Sequence, residues 1–232
     1  MMYNKKPILQ IYNSITKLLN LYYNSVNCID ILEITDKIYI IAIEVCMRVI
    51  SGIARGTKLN SIDSLDTRPT LDRVKESLFN IIQNKIDESI VLDLFAGSGA
   101  IGIEFISRGA KKAVFCEKSK LAANMIKSNL IKTRFMDKSE IYIQDYRKTL
   151  ESLKNKNMKF DIIFLDPPYK DNIAIDAVKK VVSLDLLAKN GIIIIETDEK
   201  EREEKQLEQL EVEVYDLRKY GRVYLMFLNR KE

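Results

Sequence analysis

The sequence predicts an α/β protein: a doubly wound, Rossmann-like sheet finished by a hairpin. Three observations predict it. Strand and helix patterns alternate from residue 90 to residue 195. The first of these strands runs into a glycine turn that opens a helix. After residue 195 the alternation breaks, and two strand patterns follow one another with only a short turn between them.

In chain order, the first patterned segment is Met47-Arg-Val-Ile-Ser-Gly-Ile-Ala-Arg-Gly-Thr-Lys-Leu59. Short apolar pieces around Gly52 and Gly56 predict a β-hairpin, assigned to residues 47–66. Thr67-Arg68-Pro69-Thr70 follows, with Thr70 the expected N-cap of a helix that carries Val74, Leu78, Ile81 and Ile82 on one face. Ile90 to Phe95 reads as a buried strand, and a helix is expected near Ala100–Ser107. Ala113 to Cys116 is a second strand, followed by a helix from about Lys120 to Ile131. Ile141 to Ile143 is the third strand. Phe160 to Leu165 is the fourth, continuously apolar as a central parallel strand should be. A helix over Ile173 to Val182 and a strand over Gly191 to Ile195 complete the alternation. Glu201 to Leu210 is a charged helix. Val212 to Leu217 and Arg222 to Leu228 are the last two strands, joined through Lys219-Tyr220-Gly221.

Residues 1–46 differ from the rest. They contain no glycine, and helical spacing shows only around Ile11, Ile15, Leu18, Leu19 and Tyr22. They are expected to be an appendage or an over-extended translation start, leaving 47–66 as the hairpin and 67–232 as the main domain.

Composition excludes several classes. No apolar run reaches the ~20 residues of a membrane span, and no signal-peptide pattern is present. Cys28, Cys46 and Cys116 form no CxxC pair, which argues against a disulfide framework or a zinc site and favours a reducing cytoplasm. Histidine is absent, so the usual base near neutral pH and the commonest metal ligand are both missing. No metal is expected. Net charge is +4, which is mild, but residues 1–46 carry four basic and four acidic side chains, so the whole excess lies beyond them. Arg48, Arg55 and Lys58 occur in a stretch with no acid, a candidate phosphate-binding surface.

The glycine turn reads Val91-Leu-Asp-Leu-Phe-Ala-Gly-Ser-Gly-Ala-Ile-Gly102. Gly97-x-Gly99-x-x-Gly102 matches a nucleotide-binding pattern, and its backbone at Phe95, Ala96, Gly97, Ser98 and Gly99 is the candidate cofactor-binding surface. Asp93 separates the possible ligands. A carboxylate at the strand end can accept from a cationic amino group, whereas a pyrophosphate gains nothing from it. That favours S-adenosylmethionine over a dinucleotide. Glu117 ends the next strand, where an acid can take both ribose hydroxyls. Asp145, after the third strand, could accept from the adenine N6 amine.

The fourth strand runs into Asp166-Pro167-Pro168-Tyr169. Two prolines stiffen the loop at the sheet edge where α/β proteins bind ligands. A nucleobase amine is a poor nucleophile because its lone pair is delocalised into the ring. The Asp166 carboxylate and the Pro167 carbonyl can accept from its two N–H bonds and help it pyramidalise, while Tyr169 stacks on the base. These demands are mostly positioning and electrostatics, which suits a chain with no histidine.

On these residues the sequence resembles the RsmD-type methyltransferases, which make N2-methylguanine in bacterial 16S ribosomal RNA. The resemblance spans about residues 47–230. It rests on Arg48-Val-Ile-Ser-Gly52 with Arg55-Gly56, Arg68-Pro69-Thr70 with Asp72-Arg73-Val74, Asp93 to Gly99 with Ser107-Arg108-Gly109-Ala110, and Asp166-Pro-Pro-Tyr169. It implies a seven-stranded, mostly parallel sheet with an antiparallel last strand. It also implies transfer from S-adenosylmethionine to a guanine of 16S rRNA, within an assembled or assembling small subunit. Asp93, Gly97 and Gly99 would line the methionine part of the cofactor, Glu117 the ribose and Asp145 the adenine. Residues 48–58, with Arg68 and Arg73, would meet RNA. The departures are residues 1–46, which the family lacks, and Ser51 where a second glycine is common. Two other readings use the same catalytic loop: an adenine-N6 methyltransferase of nucleic acid, and a protein glutamine methyltransferase.

Overall fold

The computed structural model describes residues 47–61, 72–168 and 172–231. The expectations placed on residues 1–46, on Arg68, on Thr70 as an N-cap and on Tyr169 lie outside the described residues, as does the side chain of Arg73.

Seven strands form one sheet in the order β3-β2-β1-β4-β5-β7-β6. β1 (Ile90–Asp93), β2 (Lys112–Cys116), β3 (Ser139–Tyr142), β4 (Phe160–Leu165) and β5 (Leu187–Thr197) run parallel. β7 (Val223–Arg230) lies antiparallel beside β5, and β6 (Val212–Tyr220) pairs antiparallel with β7 at the edge. The antiparallel final strand is therefore inserted within the sheet, with its hairpin partner outside it.

Six α-helices are found among the described residues: α1 (Asp72–Ile81), α2 (Ala100–Ser107), α3 (Lys120–Thr133), α4 (Tyr146–Asn155), α5 (Ile173–Ser183) and α6 (Lys200–Leu207). Alternate strand residues feed two cores, because successive side chains on a strand point to opposite faces. Val91, Ala113, Phe115, Ile162, Phe164, Ile192 and Ile194 pack with α1, α2 and α3. Leu92, Val114, Ile163, Leu165, Ile193 and Ile195 pack with α4, α5 and α6. Burial on both faces explains the unbroken apolar runs of β4 and β5.

Helix α4 has no counterpart among the elements read from the sequence. Its signal is present: Asp145 caps it by accepting from the Arg147 amide at 2.9 Å, and Tyr146, Leu150 and Leu153 recur at helical spacing on its buried face. Strand β5 is longer than expected because Leu187 already pairs with Phe160, four residues before Gly191.

At the expected hairpin an antiparallel bridge joins Arg48 and Lys58, and the amides of Leu59, Val49 and Gly56 donate across it to the carbonyls of Met47 (2.7 Å), Thr57 (3.0 Å) and Val49 (2.8 Å); residues 62–66 of the expected span lie outside the described residues. The loop between them also bonds to α2. The Glu104 carboxylate, fully buried, accepts from the amides of Ile50 (2.8 Å) and Ser51 (2.9 Å). Ser107 Oγ donates to the Ser51 carbonyl at 2.6 Å and accepts from the Ala54 amide at 3.0 Å, while the Ser107 carbonyl accepts from the Ile53 amide at 2.8 Å. Gly52 makes this approach possible. Its φ is +82°, and a Cβ there would stand 1.7 Å from the Ser107 carbonyl oxygen. Helix α1 locks onto the same helix through the edge-to-face contact of Phe79 with Phe105, at 4.7 Å between centroids, with the Arg108 guanidinium 4.6 Å over Phe79.

Candidate active site

The order of the sheet reverses between β1 and β4, which opens a crevice at their carboxyl ends. Asp93 ends β1 there, and Asp166-Pro167-Pro168 follows β4 directly. The parallel register pairs Asp93 with Phe164 and Leu165 with Ile195, so Asp166 and Glu196 leave adjacent strands side by side. Asp93 and Glu196 are nearly fully buried; Asp166 is half-buried, with Pro167 buried and Pro168 exposed.

Burial and neighbouring acids act on two of these carboxyls. Burial pushes the Asp93 carboxyl up from 3.8 to about 7; Glu117 adds to the rise, and the hydrogen bond from the Gly102 amide at 3.0 Å opposes it. Asp166 is lifted well above the usual carboxylate range, first by burial and then by the charges of Glu196 and Asp93. Glu196 was not read from the sequence, although the signal existed. It is the acid that ends an isoleucine run, as Asp93 ends β1 and Glu117 follows β2.

The glycine turn wraps the end of β1. The Ala96 amide donates to the Cys116 carbonyl at 3.0 Å, and the Gly99 amide to the Ala96 carbonyl at 2.7 Å. Gly97 and Gly99 have φ of +52° and +79°. A Cβ on Gly97 would meet nothing within 4 Å, whereas one on Gly102 would sit 2.2 Å from the Phe115 ring. Gly97 therefore faces open space, and Gly102 lets α2 lie against β2. The Glu117 carboxylate is held at both oxygens, by the Gly97 amide at 3.0 Å and the Ser119 amide at 2.8 Å. Asp93 and Asp145 each spend one oxygen on a local amide, so both have a structural duty beyond the ligand contact expected of them.

Phe95 stacks at a tilt on Tyr146, 5.3 Å between centroids. The Tyr146 hydroxyl donates to Asp176 Oδ2 at 2.6 Å, and Arg147 Nε lies 3.2 Å from the same oxygen. These residues tie the turn after β1 to the first turn of α5, the helix that follows the proline loop. Arg48, Arg55 and Lys58 are all exposed on the bridged segment. Ser98 of the glycine turn touches that segment, its Oγ 3.3 Å from Met47 Sδ. The structure thus gathers Asp93, Glu117 and Asp166 at one sheet edge, with Asp145 capping the neighbouring helix. It places the basic residues on the element docked beside the turn.

The residues present fit a cationic nucleoside cofactor such as S-adenosylmethionine. Repelling carboxylates at the crevice would be relieved by its ammonium and sulfonium charges. The space in front of Gly97 admits a ligand against the backbone. Among the described residues no His, Cys, Asp or Glu group has a metal-holding arrangement, and no helix is long and apolar enough to cross a membrane.

Comparisons with known proteins agree with this geometry. The family model described as Conserved hypothetical protein 95 matches residues 47–229. Ribosomal RNA small subunit methyltransferase D of Haemophilus influenzae is 40% identical over 153 residues, covering 66% of this chain and 79% of that protein. Its namesake in Escherichia coli strain K12 is 32% identical over 152 residues, covering 66% and 75%. A solved Haemophilus influenzae structure described as a "putative methylase" superposes with a TM-score of 0.63 and 34% identity, over 80% of this chain and 98% of that one. The Rossmann-like sheet, the carboxylate-lined crevice and these matches together establish that the chain belongs to the Conserved hypothetical protein 95 family, that of the RsmD-type methyltransferases.

Proposed function

We propose that this protein transfers a methyl group from S-adenosylmethionine to the exocyclic N2 amine of a guanine in 16S ribosomal RNA, in the cytoplasm and within an assembled or assembling small subunit. The observation that carries the reading is the convergence of Asp93, Asp166 and Glu196 at the β1/β4 crevice. A cation is welcome there, and a proton acceptor stands beside it. The names of the relatives point to small-subunit rRNA as the substrate.

Asp93 would hold the methionine amine, Glu117 the ribose hydroxyls and Asp145 the adenine amine, with Gly97 and Gly99 leaving the backbone open to the ligand. Bound S-adenosylmethionine supplies an activated methyl group on a sulfonium. The Asp166 carboxylate and the Pro167 carbonyl accept from the two guanine N–H bonds and turn the nitrogen lone pair out of conjugation. The nitrogen would gain the methyl group as its bond to sulfur breaks and a neutral thioether leaves, and one N–H proton would pass to Asp166. Burial and its two acidic neighbours raise the proton affinity of that carboxylate, which suits late acceptance. Tyr169 would stack on the base and hold it square to the methyl group. A paired guanine would first have to leave its stack. Arg48, Arg55 and Lys58, with Arg68 and Arg73, would bind the RNA backbone.

Nucleoside mass spectrometry of rRNA from cells with and without the gene tests the reading. Loss of one N2-methylguanine from 16S rRNA is expected. Loss of an N6-methyladenine instead would assign the adenine reading, and an unchanged rRNA profile would reject a ribosomal substrate.

A further inference from the structure

Asn129, on α3, is fully buried yet makes three hydrogen bonds to two distant parts of the chain. Its Nδ2 donates to the Ser98 carbonyl at 2.9 Å and to the Asn60 carbonyl at 2.9 Å. Its Oδ1 accepts from the Asn60 amide at 2.7 Å. The orientation of the amide is fixed by these partners: two are carbonyls that can only accept, and one is an amide that can only donate. Toward Asn60 it behaves as a strand partner would, satisfying both the N–H and the C=O of one residue. Its remaining hydrogen goes to the residue between Gly97 and Gly99.

The two anchored segments are those to which the proposed function assigns its two ligands. Ser98 lies in the turn that would hold the cofactor. Asn60 ends the basic segment that would meet RNA, and its side chain is also bound to α3, donating to Ser128 Oγ at 3.0 Å and accepting from Lys132. We infer that Asn129 is a positioning residue that couples the cofactor turn to the RNA-binding segment, so that an occupied turn sets the segment for substrate. The inference rests on the proposed function. Its physical basis is that a buried amide with every group engaged cannot release one partner cheaply. A change in the direction of the Ser98 carbonyl must therefore be followed at Asn60. Coupling of this kind is reciprocal: the cofactor would tighten RNA binding by the factor by which RNA tightens the cofactor.

The test measures binding of the full-length protein to small ribosomal subunits from cells lacking the gene, with and without S-adenosylhomocysteine. In the wild type, S-adenosylhomocysteine should tighten subunit binding about tenfold, within the usual range of coupling. In Asn129→Ala the factor should fall below about twofold, while each ligand alone binds within about threefold of wild type. Asn129→Asp keeps the acceptor for the Asn60 amide but loses both donors, and it should also lose the coupling; it serves if the alanine variant does not fold. Ser128→Ala removes a neighbouring bond without touching Asn129 and should keep the coupling. Equal coupling in wild type and both Asn129 variants would overturn the inference, as would a wild type whose subunit affinity ignores S-adenosylhomocysteine. A wild type that neither binds nor methylates subunits would instead overturn the proposed function, so the two failures are distinct.

Discussion

Asp93→Asn should make the protein more stable and worse at holding its cofactor, and the stability gain should depend on pH. The Asp93 carboxyl is raised from 3.8 to about 7 because it is buried. Below pH 3.8 the group is neutral in both folded and unfolded chains and costs nothing. Between 3.8 and about 7 the unfolded chain sheds the proton and the folded chain keeps it, so stability falls as pH rises. Above about 7 the loss is complete, and at ~1.4 kcal/mol per pH unit it amounts to ~4 kcal/mol. Asparagine retains an oxygen for the Gly102 amide but buries an NH2 group that lacks an assured partner, a cost of ~1–3 kcal/mol. The net gain at pH 8 is then ~1–3 kcal/mol, shrinking by ~2–3 kcal/mol at pH 5. Urea unfolding of both proteins at the two pH values, without cofactor, measures it. At pH 8 the variant should also bind S-adenosylmethionine ~10–100-fold more weakly, the value of a charge-assisted hydrogen bond. An equal stability difference at pH 5 and pH 8 would refute the assignment of a buried, proton-hungry carboxyl. Undiminished cofactor affinity would refute its role toward the amine.

Asp166→Ala should lower kcat by ~10²–10³ while leaving the dissociation constant of S-adenosylmethionine within a few-fold, because it removes an acceptor aimed at the substrate amine; isothermal titration beside single-turnover assays separates the two. Reversing charge at Arg48 and Arg55 should weaken binding to 16S rRNA and flatten its dependence on salt by ~1–2 in the log–log slope, and a slope equal to wild type would remove both residues from the RNA surface. Gly52→Ala places a methyl group 1.7 Å from the Ser107 carbonyl oxygen at a φ of +82°. It should release the 48–58 segment from α2 and raise KM for RNA with little change in cofactor affinity, read by hydrogen exchange at Ile50, Ser51 and Ile53 together with steady-state kinetics.

The sheet was legible because burial on both faces leaves a continuous apolar run, and Asp93 and Glu117 were legible because each closes such a run; Glu196 gives the same sign at the end of β5, but no glycine turn or proline loop follows it to draw attention. Helix α4 was not read because Asp145 invites a ligand role, and that competed with the simpler N-cap that the spacing of Tyr146, Leu150 and Leu153 supports. Gly52 and Gly56 do lie in a turn between antiparallel segments, but nothing in their pattern told that the loop's amides at Ile50, Ser51 and Ala54 turn toward Glu104 and Ser107. Glu104 carried a usable sign, a single acid inside the apolar helix Ala100–Ser107, where a buried charge must have partners. Asn129 carried none. An asparagine in a helix of mixed polarity reads as a solvated residue until the segments it joins are seen to meet.

The three glycines of the turn after β1 divide two kinds of freedom. Gly97 borders open space, so the ligand side of the loop could drift, provided the backbone keeps its left-handed turn. Gly102 is hemmed in by the Phe115 ring, and even one added carbon would prise α2 from β2. Any lineage, or any designer, that retunes this pocket for a bulkier cofactor analogue has room to work at the front of the loop and none at its back. The six-residue spacing of the motif is thus set at one end by chemistry that can change and at the other by a packing contact that cannot.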